Sequence, residues 1–491
     1  MEIILKVLTS FLIFINLFYC TAIFISQYYD YKRLLILLKQ RITERSYQNL
    51  IICSLFGLSL GLAFSNILIS LVVLDVALLT NIFLIKKLVF KFTRRSVSLL
   101  FVHMIIISVI AIFFSNLVFY IFASLATLTL ELLIIFTNFI LIPYECVVRQ
   151  FYINKAKKKI KTNRNLKIIA VTGSFGKTSF KNYLYSILCG QYNVIKTPGS
   201  VNTPMGICKF INNSLTPYDD ILILEVGVDT PNTMKRFFKI FNPDIGVITS
   251  IGEMHLATFK TIENIQKEKM LLFNHLKGEK AKFYNKDCDL INISIKDNIH
   301  PYSLDEVKIE STSIEGTKFE YNNQTYFAPI FGKHQLINLI GAIKVAKYLN
   351  VKEEILTNRV SFVKAETHRL SVEKVNNTYV IDDAYNANFL GMSEAINIIT
   401  SFSGIKGIIL NGVIETGVKS KEINFTLGTL LGGFDEIVVL SNSSQYLKDG
   451  LKSINKKFKV FTKYSEGYAY LLKKDLNYVL LCSRADKEFI K

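Results

Sequence analysis

Hydrophobic positions fall into two regimes along this chain. Up to about residue 150 they run almost uninterrupted, whereas beyond about residue 165 they form short blocks separated by polar, glycine-containing turns. Residues 3–27 make one apolar run of membrane-spanning length, without the basic start or small-residue cleavage site of a leader, and are read as retained. Residues 50–85 are too long for one crossing and carry Ser65 and Asn66 near the middle, which predicts a helical hairpin. Residues 98–145 repeat that pattern with a turn near 118–123. The first domain, residues 1–150, is therefore expected to be an α-helical membrane region of about five helices.

The charges between these runs orient them. Lys32, Arg33, Lys39, Arg41 and Arg45 fill one connection, Lys86, Lys87, Lys91, Arg94 and Arg95 the next, and Arg149 with residues 155–159 follow the last run. If basic connections face the cytoplasm, the amino terminus lies outside and the remainder of the chain inside, as an odd number of spans requires. The expected location is the bacterial inner membrane, multi-pass, with lipid as a partner. Asp75, His103 and Glu131 fall within the expected spans, where ionisable groups are costly unless paired or functional. Polar contacts between helices and a transport route are both open readings.

From Leu166 the pattern becomes that of an α/β protein. "LKIIAVTGSFGKTS" reads as an apolar strand, a glycine-containing turn and a helix start. That order makes backbone N–H groups and a helix terminus converge on phosphate oxygens. Lys177 is placed to reach terminal phosphates and Thr178 to hold Mg2+ through its hydroxyl, with Gly173, Ser174, Phe175, Gly176 and Ser179 completing the loop. Val171 stands where the usual P-loop has its first glycine. "DILILEVG" (220–227) and "DIGVITSIG" (244–252) are continuous apolar runs, as expected of strands buried on both faces of a parallel sheet. Glu225 ends one and His255 follows the other, either as ligands at the carboxyl edge of the sheet or as an ordinary strand end and loop residue. In "FGKHQLINLIGAIKVAKYLN", Leu336, Leu339, Ile340 and Ile343 take helical spacing on a buried face. Asn338 lies beside that stripe, as a surface residue or as an amide offered to a base edge.

Charge changes the picture little. Lys and Arg total 58 against 39 Asp and Glu, a net +19, but much of the excess lies on the expected cytoplasmic flanks. No aromatic-basic platform stands out, so no nucleic-acid partner is expected. The seven cysteines are scattered without Cys-x-x-Cys pairs, which predicts reduced thiols and no zinc.

Taken in order, "TGSFGKTS", "ILEVG", "PDIGVITSIGEMHL", "IQKEK", "GKHQLIN", "THRL" and "VIDDAYNANFLGM" resemble the Mur ligase family over residues 165–491. The resemblance implies a P-loop parallel-sheet ATPase domain over residues 160–358. A smaller Rossmann-like α/β domain follows over residues 359–491, where "GIIL", "EIVVL", "KVF" and "YVLLC" alternate with helices. It also implies an amide ligase that uses ATP and a pair of Mg2+ ions through an acyl phosphate. Its expected partners are a UDP-linked muramoyl peptide, D-alanyl-D-alanine and, through the spans, cell-wall synthesis proteins.

By the same resemblance, Lys177 contacts the β and γ phosphates, Thr178 and Glu225 hold one Mg2+, and His255 with a carbamylated Lys269 holds the second. Lys267 is the other register for that lysine. Asn338 faces adenine, Arg369 approaches the phosphates, and Asp383 lies near the ribose. Tyr385, Asn386 and Asn388, with Ser483 and Arg484, shape the substrate cleft. The chain departs from the family in three places. The membrane-like region stands where soluble members hold the uridine nucleotide. Gln335 replaces a frequent Asn, and Leu481 and Cys482 replace the Lys and Gly of a terminal Lys-Gly-Ser-Arg. A ligase of the poly-γ-glutamate type and a transport-coupled ATPase are the alternative readings.

Overall fold

The computed structural model describes residues 4, 7–15, 18, 21, 94–113, 130–252, 254, 256–291, 293, 297–384, 389–413, 420–441 and 443–483. The chain divides into two compact units, residues 1–151 and 152–491.

In the first unit, helix α1 (Arg94–Phe113) carries the apolar stretch Ser96–Phe113, which among the described residues is the one helix long and apolar enough to cross a membrane. Helix α2 (Leu130–Thr162) is longer than the sequence pattern implies: it runs 33 residues, with Pro143 inside it, and the division between units falls within it. His103 on α1 is buried and shares a 2.8 Å hydrogen bond with Thr137 on α2, the helix-to-helix contact that was one of its two expected roles. The runs at 50–85, the turn near 118–123, Asp75 and the side chain of Glu131 lie outside the described residues.

The second unit begins ahead of residue 160, where the sequence pattern starts its ATPase domain. Ala156 is fully buried, and Ile153 and Ile160 pack against the same core. Its first sheet holds β1 (Lys167–Thr172), β2 (Val194–Lys196), β3 (Ile221–Glu225), β4 (Ile245–Ile248), β5 (Ala281–Asn285) and β6 (Ile299–Tyr302) in the order β2-β3-β1-β4-β5-β6. All its neighbours are parallel. Side chains alternate across a strand, so a sheet covered on both sides needs apolar residues at every position. β1 shows this directly: Ile169 and Val171 enter one core, Ile168 and Ala170 the other.

Helices α3 (Lys177–Leu188), α4 (Pro204–Ser214), α5 (Thr233–Phe238) and α6 (Ile262–His275) connect these strands. After β6 comes a small antiparallel sheet of β7 (Val307–Ser313), β8 (Gly316–Tyr321) and β9 (Gln324–Ala328). Then follow α7 (Lys333–Tyr348) and α8 (Glu353–Val360). Phe180, Leu184 and Ile187 of α3 share a core with Leu336, Leu339, Ile340 and Ile343 of α7, so the predicted stripe is buried. A fully buried Leu or Ile contributes roughly 1.5–3 kcal/mol, so this face alone anchors α7 over the sheet.

The last sheet contains β10 (Ser371–Val375), β11 (Thr378–Asp382), β12 (Lys406–Leu410), β13 (Glu436–Leu440), β14 (Lys459–Phe461) and β15 (Tyr478–Cys482) in the order β10-β11-β15-β12-β13-β14. Only β10 pairs antiparallel. Helices α9 (Phe389–Ser401), α10 (Ser420–Thr429), α11 (Gln445–Ser453) and α12 (Tyr464–Leu472) flank it. Phe331, just ahead of α7, enters the core of this sheet, its ring 6.2 Å from that of Phe402.

Candidate functional site

The carboxyl edge of the first sheet builds the site. β1 ends at Thr172, the chain turns through Gly173–Gly176, and α3 starts at Lys177. Gly176 sits at φ 79°, a left-handed conformation that side chains with a Cβ adopt at a cost. A Cβ there would also lie 2.6 Å from Asn338 Oδ1, so Gly176 lets α7 approach the loop. Asn338 is buried, and its Nδ2 donates to His334 O at 2.6 Å.

The residues after β4, which sequence reasoning passed over, stitch the loop in place. Ser174 N donates to Ser250 O at 2.8 Å, Phe175 N to Ser250 Oγ at 2.8 Å, and Thr249 Oγ1 to Phe175 O at 2.6 Å. The N–H groups opening α3, at Lys177, Thr178 and Ser179, lack intrahelical acceptors by geometry and carry the positive end of the helix dipole. These donors form the anion-binding end of the loop.

Two lysines converge on one carbonyl. Lys177 Nζ donates to Gly173 O at 2.6 Å and to Ser174 O at 3.0 Å, while Lys269 Nζ donates to Gly173 O at 3.1 Å. Of the two register candidates, Lys269 is the buried one and faces the loop, whereas Lys267 is exposed. Burial pushes Lys177 down to about 8, with Glu225 opposing and Arg369 adding to the shift. Burial pushes Lys269 down further, to about 7; the charge of Lys177 adds to this, and Asp229 and Glu268 oppose it. Gly173, Ser174, Lys177, Asn202, Gly227, Asp229 and Lys269 are among the residues lining a cavity of about 210 Å³.

Glu225 ends β3 opposite Val171 and is buried. Lys181, one turn beyond Lys177 on α3, holds its Oε2 at 2.8 Å, and Asn202 Nδ2 approaches its Oε1 at 3.3 Å. Lys181 was missed by sequence reasoning, although its i, i+4 spacing from Lys177 puts both on one face. A carboxylate and the Thr178 hydroxyl beside a phosphate loop are hard oxygen donors, which suits Mg2+. The donor set therefore fits one ion completed by phosphate oxygens. His255, expected at a second ion, lies outside the described residues, and among these no group of three or more His, Cys, Asp or Glu comes together as a metal site.

The remaining expected residues come from the turn between the two sheets, which holds Arg369, and from the ends of β11 and β15, which hold Asp383 and Ser483. Arg369 lies near enough to act on both Lys177 and Tyr183: burial lowers the lysine and the arginine adds to that, whereas burial raises the Tyr183 hydroxyl and the arginine opposes it. Asp383 is fully buried and its Oδ1 accepts Leu370 N at 3.1 Å, so in this arrangement it holds the Arg369 turn instead of standing open to a ribose. Ser483 is likewise fully enclosed at the end of β15. Tyr385, Asn386, Asn388 and Arg484 lie outside the described residues.

Residues 171–346, which span the loop, both lysines and Asn338, match the Mur ligase middle domain. Among curated proteins it is 28% identical over 296 residues to the UDP-N-acetylmuramoyl-tripeptide–D-alanyl-D-alanine ligase of Bacillus subtilis, covering 58% of this chain and 65% of that enzyme. The enzyme of the same name from Buchnera aphidicola is 31% identical over 283 residues, covering 54% of this chain and 60% of that protein. The chain thus spans somewhat less than two thirds of the length of these relatives. The crystal structure of MurF ligase from Thermotoga maritima in complex with ADP superposes with a TM-score of 0.59 at 25% identity, covering 68% of this chain and 80% of that one. The matched stretch, residues 171–346, holds the loop, both lysines, Glu225 and Asn338 of the site described above.

Proposed function

We propose that this protein is an ATP-dependent amide ligase that joins D-alanyl-D-alanine to a UDP-muramoyl tripeptide. The observation that carries the reading is the convergence of Lys177 and Lys269 on Gly173 O at the wall of one cavity. The Lys177 cation at a loop of N–H donors answers the charge of a triphosphate and of the phosphoryl group in transfer, and Lys269 lies beside it at the same wall.

In the reaction, a carboxylate oxygen of the tripeptide bonds to the γ-phosphorus as the bond to the β-phosphate oxygen breaks, releasing ADP. The amine of the dipeptide then bonds to the acyl carbon, loses a proton, and phosphate leaves with the former acyl oxygen. Lys177 and the first N–H groups of α3 hold the phosphates in line. Thr178 and Glu225 would hold one Mg2+, which supplies charge neutralisation at the phosphates. Lys181 keeps Oε2 of Glu225 engaged and leaves Oε1 toward Asn202, a wall residue of the cavity. Burial pulls the Lys269 amine down to about 7, which raises its neutral fraction and opens it to CO2, and its carbamate would be an anionic oxygen donor suited to a second ion.

The same proposal places the chain in the bacterial cytoplasmic membrane with residues 152–491 on the cytoplasmic side. The apolar length of Ser96–Phe113 and the basic residues from Arg149 to Lys161 support it. The test is ADP release by the full chain with a UDP-muramoyl tripeptide and a panel of amines. Release that depends on D-alanyl-D-alanine and not on glutamate supports the reading. Release with glutamate alone replaces it with the poly-γ-glutamate alternative.

A further inference from the structure

We propose that Gln335, through Tyr183, is a positioning residue for Arg369. This rests on the reading of the loop as a nucleotide site.

Arg369 sits at the apex of a turn whose backbone is strained on both sides. His368 has φ 65° and Leu370 has φ 53°, left-handed conformations that cost free energy for residues with bulky side chains. Such a turn persists only when its surroundings over-determine it. On the side of the last sheet, His368 Nδ1 lies 2.6 Å from Asp382 Oδ2, and Leu370 N donates to Asp383 Oδ1. Within the turn, Arg369 N donates to Glu366 O at 3.0 Å. Across the cleft, Asn182 of α3 holds the Glu366 side chain.

The arginine itself is tied to the middle domain by Gln335. Its Nε2 donates to Arg369 O at 2.8 Å, and its Oε1 accepts the hydroxyl hydrogen of Tyr183. Gln335 and Tyr183 are both buried. The Tyr183 hydroxyl donating to Oε1 leaves the NH2 end of the amide facing Arg369 O, so the amide has one useful orientation. Tyr183 lies on α3, the helix whose first turn carries Lys177 and Thr178. A rigid path therefore runs from the phosphate-binding helix through Tyr183 and Gln335 to the backbone of the arginine.

The test is a double-mutant cycle in the full chain, reading ATP affinity, and kcat and KM for ATP, in Gln335→Met, Arg369→Ala and the double variant. Gln335→Met keeps the side-chain length and removes both hydrogen bonds. Its expected effect is about a five- to tenfold weaker ATP affinity in the wild-type background, with little further loss once Arg369 is Ala. An equal loss in both backgrounds, or none in either, overturns the proposal. A purely structural role would lower the unfolding midpoint and add to the Arg369→Ala effect. If Gln335→Met fails to fold, Tyr183→Phe removes only the orienting hydroxyl, and its smaller loss must likewise vanish with Arg369→Ala. Full-chain protein that binds no ATP overturns the nucleotide reading, and this proposal with it. ATP binding that responds to Arg369→Ala but not to Gln335→Met overturns the proposal alone.

Discussion

Lys181 and Glu225 form a buried ion pair, Nζ to Oε2 at 2.8 Å, beside the phosphate loop. Lys181 Nζ also donates to Gly199 O at 2.6 Å, so the pair joins α3, the end of β3 and the loop after β2. Breaking one partner of a buried pair strands the other charge. Lys181→Met should therefore cost about 3–5 kcal/mol of stability, and Lys181→Met with Glu225→Met clearly less. Urea unfolding midpoints of the two variants check this, and equal losses would show that the charge pairing is not what stabilises the site.

Gly176→Ala should weaken ATP binding more than it affects the fold. The new methyl group meets Asn338 and is forced to φ 79°, a strain of about 1–2 kcal/mol placed where the loop turns into α3. Binding of ATP and of ADP by the purified full chain measures it. Unchanged affinity for both would remove Gly176 from the account of the site.

How much of this was legible beforehand differs by level. The apolar runs 220–227 and 244–252 identify β3 and β4 because strands buried on both faces admit nothing else. The stripe Leu336, Leu339, Ile340 and Ile343 likewise identifies the inner face of α7. The β7–β9 sheet was not read. Its signal was present in Asn322 and Asn323, both at positive φ, between Tyr321 and Gln324, which pair across a two-residue hairpin. Within the site, the loop lysine was readable from its motif. The partners Lys181, Ser250 and Gln335 were not, because each acts through a contact between elements distant in sequence. Asp383 shows the same limit: its motif implies a ribose contact, and says nothing of the buried bond by which its Oδ1 also braces Leu370 N.

Lys269 makes stability depend on pH. Its value in the folded chain, about 7, lies below the ordinary lysine value of 10.5, so the unfolded chain binds more protons between these limits. Stability therefore rises with pH across that window. In CO2-depleted buffer, Lys269→Met should be more stable than wild type by on the order of 2 kcal/mol or more at pH 6–7, with the gain shrinking towards pH 10. Chemical denaturation at several pH values tests this. A gain that does not change with pH would mean that Lys269 is not held neutral.

His334 and Glu394 tie the start of α7 to α9 at 2.9 Å. The hydrogen bond to Glu394 raises His334 above 6.5, against burial. Burial pushes Glu394 up, but the hydrogen bond and charge of His334 outweigh it and hold the carboxyl below 4.5. The histidine's contribution is complete below 6.5 and is lost as pH rises through its raised value. The carboxylate's contribution is present above 4.5 and is lost as pH falls through its lowered value. His334 is largely exposed, so after screening the pair should contribute about 0.5 kcal/mol. Glu394→Gln should lower the urea midpoint at pH 6 and leave it near that of wild type at pH 9. Equal loss at both values would point to packing instead of charge.

The central claim is that this chain makes an amide bond at the expense of ATP. The most direct test is mass spectrometry of the products formed by the full chain in membranes, given ATP, Mg2+, a UDP-muramoyl tripeptide and D-alanyl-D-alanine. The account predicts the pentapeptide mass and one ADP per molecule formed, both abolished by Lys177→Ala. ATP hydrolysis without a ligated product, or a product that persists in Lys177→Ala, would contradict it.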